Sequence, residues 1–190
     1  MRGRCAIIGP GLISGSAVAI TGYRARVEVS GVTLSDNLGM IDDTGGTVSL
    51  TNVSASQASG LGIRAGKITV QNVTVDMNDA GNCIMSQSGV KGSDLTVSHC
   101  HEGVSSLHGS VRLDHLVSVG NSVGVFAGGR VELSNSTVTG NYFPPTQGLD
   151  VLSGRPPRLT NTSCDKSARW EHLPGGGFGF GAPWGVCSLD

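Results

Sequence analysis

The chain has 190 residues, 14 acidic and 13 basic, with a formal net charge of -1 at pH 7. That balance offers no overall basic field to hold nucleic acid or an anionic membrane surface. With 30 glycines, 14% charged and 4% aromatic residues, the composition favours β structure with many turns over long helices, whose preferred Glu, Lys, Gln and Arg are scarce.

The opening stretch CAIIGPGLISGSAV, from Cys5, has the look of a strand feeding a phosphate-cradling glycine loop. Such a loop must open a helix. Here SAVAITGYRARVEVSG follows Gly15, β-branched and broken by Gly22, so a nucleotide site is not expected. Met1 is followed by Arg2 and Arg4, but Gly and Pro interrupt any signal-peptide core. No apolar run approaches the roughly 18 residues of a membrane span.

The remaining glycines belong to a repeat. The pattern apolar-x-apolar-x-Asn-x-x-apolar recurs as VSLTNVSA from Val48, ITVQNVTV from Ile68 and VELSNSTV from Val131. Degenerate copies start at Val27, Val90, Val111 and Pro157. The pivots Gly31, Asn52, Asn72, Asp94, His115, Asn135 and Asn161 lie 21, 20, 22, 21, 20 and 26 residues apart. A second polar row follows six residues after the pivots, at Asn37, Asn78, Asn121 and Asn141. Each unit therefore reads as three short alternating strands separated by turns. Units of this length wind into a solenoid whose rungs stack at about 4.8 Å, because one rung alone cannot bury its apolar face.

The Asn-pivoted, three-strand rung resembles the right-handed parallel β-helix of pectate lyases and related surface proteins, over residues 17–168. The resemblance implies an all-β fold: a single right-handed parallel β-helix of about seven rungs, with 1–16 as a partial rung or cap and 169–190 as an aromatic capping tail. It also implies a stacked ladder of Asn52, Asn72, Asn135 and Asn161, interrupted at Gly31, Asp94 and His115. All four asparagines also match the N-glycosylation sequon. As ladder members they are expected to be enclosed, and the sequons incidental.

Five cysteines occur without a C-x-x-C pair, which disfavours a zinc ribbon or a thioredoxin-type motif. Cys164 lies at an inward repeat position and Cys187 in the tail, so a Cys164–Cys187 disulfide is expected. The pairing of Cys5, Cys83 and Cys100 stays open. The 26-residue interval holds NYFPPTQ, read as a projecting loop.

Chemistry is sparse. The resemblance implies a groove along the outer face of the first strand, with acidic residues holding calcium. The presumed outward positions there, Gly62, Ser86, Ser105, Gly124 and Asp150, are mostly small and uncharged, a poor lyase groove. The densest polar cluster lies in the third turns: Asp76 and Asp79, then His99, His101 and Glu102. From it come candidate acid–base residues Asp79, His101 and Glu102 and a candidate Ca²⁺ set of Asp76, Asp79 and Glu102. No cofactor is otherwise expected. Asp42, Asp43 and Arg64 form a weaker group. A triad of His108, Asp114 and His115 is not expected, since alternation splits their directions. Tyr142, Phe143, Trp170 and Trp184 are the candidate sugar-stacking residues.

The leading expectation is a non-catalytic, extracellular or cell-surface domain that binds polysaccharide or serves as scaffold. A polysaccharide lyase or hydrolase and a trimeric, spike-like homo-oligomer are the alternatives.

Overall fold

A computed structural model describes residues 3–58, 60–77, 81–142, 148–172 and 176–190. Among them there is no helix, and the strands form a parallel β-solenoid of about seven turns. Each strand pairs in parallel with its counterpart one turn later, as Gly39–Ser56 does with Leu61–Asp76. The exception is antiparallel: Trp170–His172 returns against Phe178–Phe180.

Three walls enclose the core, and parallel pairing turns sequence period into side-chain columns. Inward from the first wall come Ile20, Ile41, Ile63, Ile84, Val104, Val125 and Val151, all buried. The middle wall adds Val27, Val48, Ile68, Val90, Val111 and Val131. The third contributes Leu34, Ala55, Val75, Val97 and Val138. Stacked aliphatic columns bury area that no single turn encloses.

The corners follow from backbone sterics. All seven pivots have left-handed backbones, from φ 67° at Gly31 to φ 48° at Asn161. Asn, Asp and Gly tolerate that region best. A second left-handed row comprises Gly15, Asp36, Gln57, His99, Gly120 and Gly140. After five of these the next residue turns inward, so Asn37, Ala58, Cys100, Asn121 and Asn141 are buried, while Ser16, in the first turn, is only half-buried.

Both asparagine rows bond along the axis, in different surroundings. The pivot row lies outside: Asn72 Nδ2 donates to Asn52 Oδ1 at 2.8 Å and Asn161 Nδ2 to Asn135 Oδ1 at 2.8 Å. Asn135 continues to Asp114 Oδ1 at 2.9 Å, so an aspartate beside the pivot carries the row on where His115 interrupts it. All four pivot asparagines are exposed, and the enclosure expected of them is not found. Enclosed asparagines occupy the second row instead. Asn121 Nδ2 donates to Asn141 Oδ1 at 3.0 Å, and Asn121 Oδ1 accepts the Cys100 N–H at 2.9 Å. Asn78, of the same row, lies outside the described residues.

Cys164–Cys187 and Cys83–Cys100 are disulfide-bonded, and Cys5 is free and exposed. The first bond ties the tail to the last turn, as expected; the second settles a pairing the sequence leaves open.

Candidate functional site

The first wall carries the site. Its outward column runs Thr21, Asp42, Arg64, Met85, Ser105, Phe126, Leu152 and Ala168. This corrects the sequence expectation. Gly62, Ser86, Gly124 and Asp150 are buried, and a Cβ on Gly124 would meet Val138 and Asn141 in the core. The left-handed corner resets the alternation, which shifts the phase of the next strand. Ser105 does lie in the outward column but is buried, its hydroxyl donating to Ile84 O.

The column changes character along the axis. Toward the N-terminus it is polar: Arg64 grips Asp42 in a fork, Nε at 3.0 Å and Nη2 at 2.6 Å. The guanidinium holds the Asp42 carboxyl below its ordinary range. Toward the C-terminus Phe126, Leu152 and Ala168 form a small apolar cluster outside the main core. These side chains would face water but for the tail. Trp170 meets Phe126 edge-on, with centroids 5.1 Å apart, and stacks on Phe178 at 5.3 Å and 4°. Phe180 closes the aromatic group, 6.2 Å from Trp170.

Between tail and wall opens a cleft of about 700 Å³. Its floor is Phe126, Leu152, Ala168, Trp170 and Phe180, and its rim carries His101, Glu102, Lys166 and Asp190. An apolar floor with a few polar groups at the margin is the usual form of a small-ligand pocket. Not every rim group is available for chemistry. The Asp190 carboxylate accepts from Ser167 N and Oγ, each at 2.5 Å, from Val186 N at 2.8 Å and from Cys187 N at 2.9 Å. Although desolvation opposes it, these bonds hold its pKa below the ordinary range. Asp190 is a clamp that fastens the tail. Glu102 accepts from Asn82 Nδ2 at 2.8 Å.

Beneath the rim, Asp150 is 2% exposed and bridges the inner asparagine row to the last turn. It accepts from Asn141 Nδ2 at 2.7 Å, Asp165 N at 2.6 Å and Lys166 N at 3.1 Å. Burial pushes its pKa up despite those donors.

The residues expected from sequence are not gathered in one place. Asp79 and Phe143 lie outside the described residues. Asp76 Oδ1 sits 3.1 Å from His99 Nδ1 at an exposed corner, while Glu102 and His101 line the cleft. Among the described residues, no group of three or more His, Cys, Asp or Glu side chains is arranged to hold a metal ion. His115 Nδ1 and Asp114 Oδ2 are 2.9 Å apart. The expected splitting of that pair fails because the left-handed pivot turns both outward.

Of the aromatic candidates, Trp170 lines the main cleft and Tyr142 a smaller one of about 290 Å³. Trp184 lies apart, under the Arg169 guanidinium at 4.8 Å. Phe126 and Leu152 escape sequence reading. Only their shared register, Phe126 opposite Leu152, marks two large apolar residues on an outward column. No protein-family model, curated protein or solved structure matches the chain.

Proposed function

We propose that the chain is a non-catalytic, secreted or surface-exposed domain of the right-handed parallel β-helix type, whose C-terminal cleft binds carbohydrate on a rigid scaffold. The aromatic floor of the cleft carries this reading: Trp170 and Phe180 offer rings at a concave site backed by the buried Phe126, with polar groups at the rim to take hydroxyls. The two disulfides fit an oxidising, extracellular setting.

Titration of a neutral and acidic oligosaccharide panel, followed by tryptophan fluorescence and calorimetry, tests it. At least one oligosaccharide binds, and Trp170→Ala or Phe180→Ala weakens it by about tenfold or more, the scale expected for losing an aromatic anchor. Absence of binding across the panel, or binding unchanged in both folded variants, refutes the reading.

The position of His101 and Glu102 on the rim supports a second reading, a polysaccharide hydrolase or lyase. New reducing or unsaturated ends that vanish in Glu102→Gln would establish it over the first.

A further inference from the structure

We propose that the outer face of the middle wall is a second binding surface, for a linear anionic polysaccharide. It is separate from the cleft and does not depend on the reading given for it.

Parallel stacking concentrates there a charge that the composition conceals. One outward column runs Arg4, Arg26, Thr47 and Lys67, then resumes at Arg130 and Arg155. The column beside it runs Glu28, Ser49, Thr69, Lys91, Arg112, Glu132 and Arg158. Where the first column lacks a cation, at Gly89 and Ser110, the second supplies Lys91 and Arg112. Eight of the chain's 13 basic residues thus share one face. Three carboxylates, Glu28, Glu132 and Asp114, share it with them. The face is net +5 on a protein whose net charge is -1.

The carboxylates do not cancel this field. Glu28 is shared by Arg4 and Arg26, each at 2.9 Å, and Glu132 by Arg112 at 3.0 Å and Arg130 at 3.9 Å. Lys67, Lys91, Arg155 and Arg158 are exposed and meet no carboxylate among the described residues. Two grooves open along the strip. One of about 640 Å³ is bordered by Arg4, Arg24, Arg26 and Lys67, and its floor at Gly45, Gly46 and Gly66 has no side chains to fill it. The other, about 420 Å³, is lined by Arg112 and Arg158 together with Asp114 and Glu132, so the first groove is the more basic of the two.

The shape of the strip selects the partner. Cations recur on nearly every rung at about 4.8 Å, in two adjacent columns, which suits charges spaced along one chain. The third column runs Ser30, Thr51, Gln71, Ser93, Asp114, Ser134 and Thr160; Ser93 and Ser134 donate to Asp94 and Asp114, while Ser30, Thr51, Gln71 and Thr160 offer hydroxyls and an amide fitted to sugar hydroxyls. No aromatic residue lies in these columns, and the exposed Tyr23 beside the first groove lies under the Arg24 guanidinium at 5.3 Å, so single-stranded nucleic acid would have no row of rings to stack on. Ile8 is their one large exposed apolar residue, too little to anchor in a lipid interface. Six of the eight cations are arginines, whose planar forks suit sulfate and carboxylate alike.

The test is affinity electrophoresis and calorimetry of the full chain with dextran sulfate, polygalacturonate and neutral dextran, from about 50 mM to about 500 mM salt. The anionic polymers bind, neutral dextran does not, and affinity falls linearly on a log–log salt plot. The polymer bound more tightly tells sulfate from uronate. Lys67→Glu with Arg155→Glu and Arg158→Glu weakens binding by about tenfold or more at low salt, with an unchanged circular dichroism spectrum. Trp170→Ala leaves this binding intact, which keeps the outcome separate from that of the cleft. Absence of binding at the lowest salt, indifference to the charge reversals, or equal binding of single-stranded DNA or anionic vesicles would overturn the proposal.

Discussion

Truncating Asn121 to alanine should be among the most damaging single changes outside the aliphatic core, although Asn121 does not line the candidate cleft. Its side chain is fully buried and its amide is spent on four partners. Oδ1 accepts the Cys100 N–H at 2.9 Å, while Nδ2 donates to Asn141 Oδ1 at 3.0 Å, Ser118 Oγ at 3.1 Å and Val97 O at 3.4 Å. Several of these partners keep other bonds. Asn141 Oδ1 still accepts the Asn121 backbone N–H at 3.1 Å, and the Ser118 hydroxyl still donates to Gly124 O. Cys100 N has no such replacement, and leaving a buried donor unpaired costs about 1–3 kcal/mol. With the remaining lost bonds and a small polar void, the expected total is about 3–4 kcal/mol.

Asn72→Ala is the control. Asn72 is exposed, so water replaces its bond to Asn52, and the main cost is placing alanine at φ 52°, roughly 1 kcal/mol. Asn72→Gly should recover most of that. Urea unfolding under oxidising conditions, read as midpoint shifts at constant slope, measures both. Circular dichroism and the fluorescence of Trp170 and Trp184 must report coincident transitions, since a solenoid can melt from one end. An Asn121→Ala cost below about 1 kcal/mol, or below that of Asn72→Ala, would refute the assignment of the second row as the enclosed ladder.

Replacing Cys164 and Cys187 by serine opens a loop of 23 residues; the expected loss is about 3 kcal/mol, with increased solvent quenching of Trp170 as the tail loosens. Asp190→Ala, which removes the acceptor of four donors, should give the same fluorescence change with both disulfides intact by thiol assay. Acid stability has two opposed contributions. Asp42 is held low by Arg64, so its contribution is present above the ordinary carboxylate range and is lost as pH falls below about 4; Asp42→Asn should flatten that acid limb. Burial raises Asp150, so the folded state holds this proton where the unfolded chain has released it. The Asp150 contribution therefore declines as pH rises from about 4 to the raised value. The deficit of Asp150→Asn relative to the parent should narrow over that interval, and a widening deficit in urea midpoints would contradict the assignment.

The period and the corners were legible because both are local. A left-handed residue about every 21 positions leaves its mark as Asn, Asp or Gly, and alternation on either side marks the walls. Legibility ended where one local rule met another. At His115 the left-handed corner overrides alternation, so Asp114 and His115 meet outside. At the first wall the same resetting puts Gly62, Ser86, Gly124 and Asp150 inside and brings Phe126 and Leu152 out. The cleft depends on a tail that returns over the wall at Trp170 and Phe180, a long-range packing that no repeat encodes. Asn121 shows the mixed case: its row is visible as a spacing, but which of two asparagine rows is buried depends on which way each corner turns.

Net charge is a coarse guide to this surface for a related reason. In a compact globule with scattered charges, a balance near zero argues against a strong local field. A parallel solenoid stacks residues one period apart into columns, so any charge preference at one register is multiplied along the axis. The middle-wall strands carry Lys or Arg at outward positions in most turns, while acidic residues such as Asp36, Asp42, Asp76 and Asp165 fall at the corners and on the other walls. The sum is close to neutral, yet one face is strongly basic. In repeats of this kind, the charge that bears on partners is the charge of each column, and an exclusion drawn from the total holds only once the columns have been counted separately.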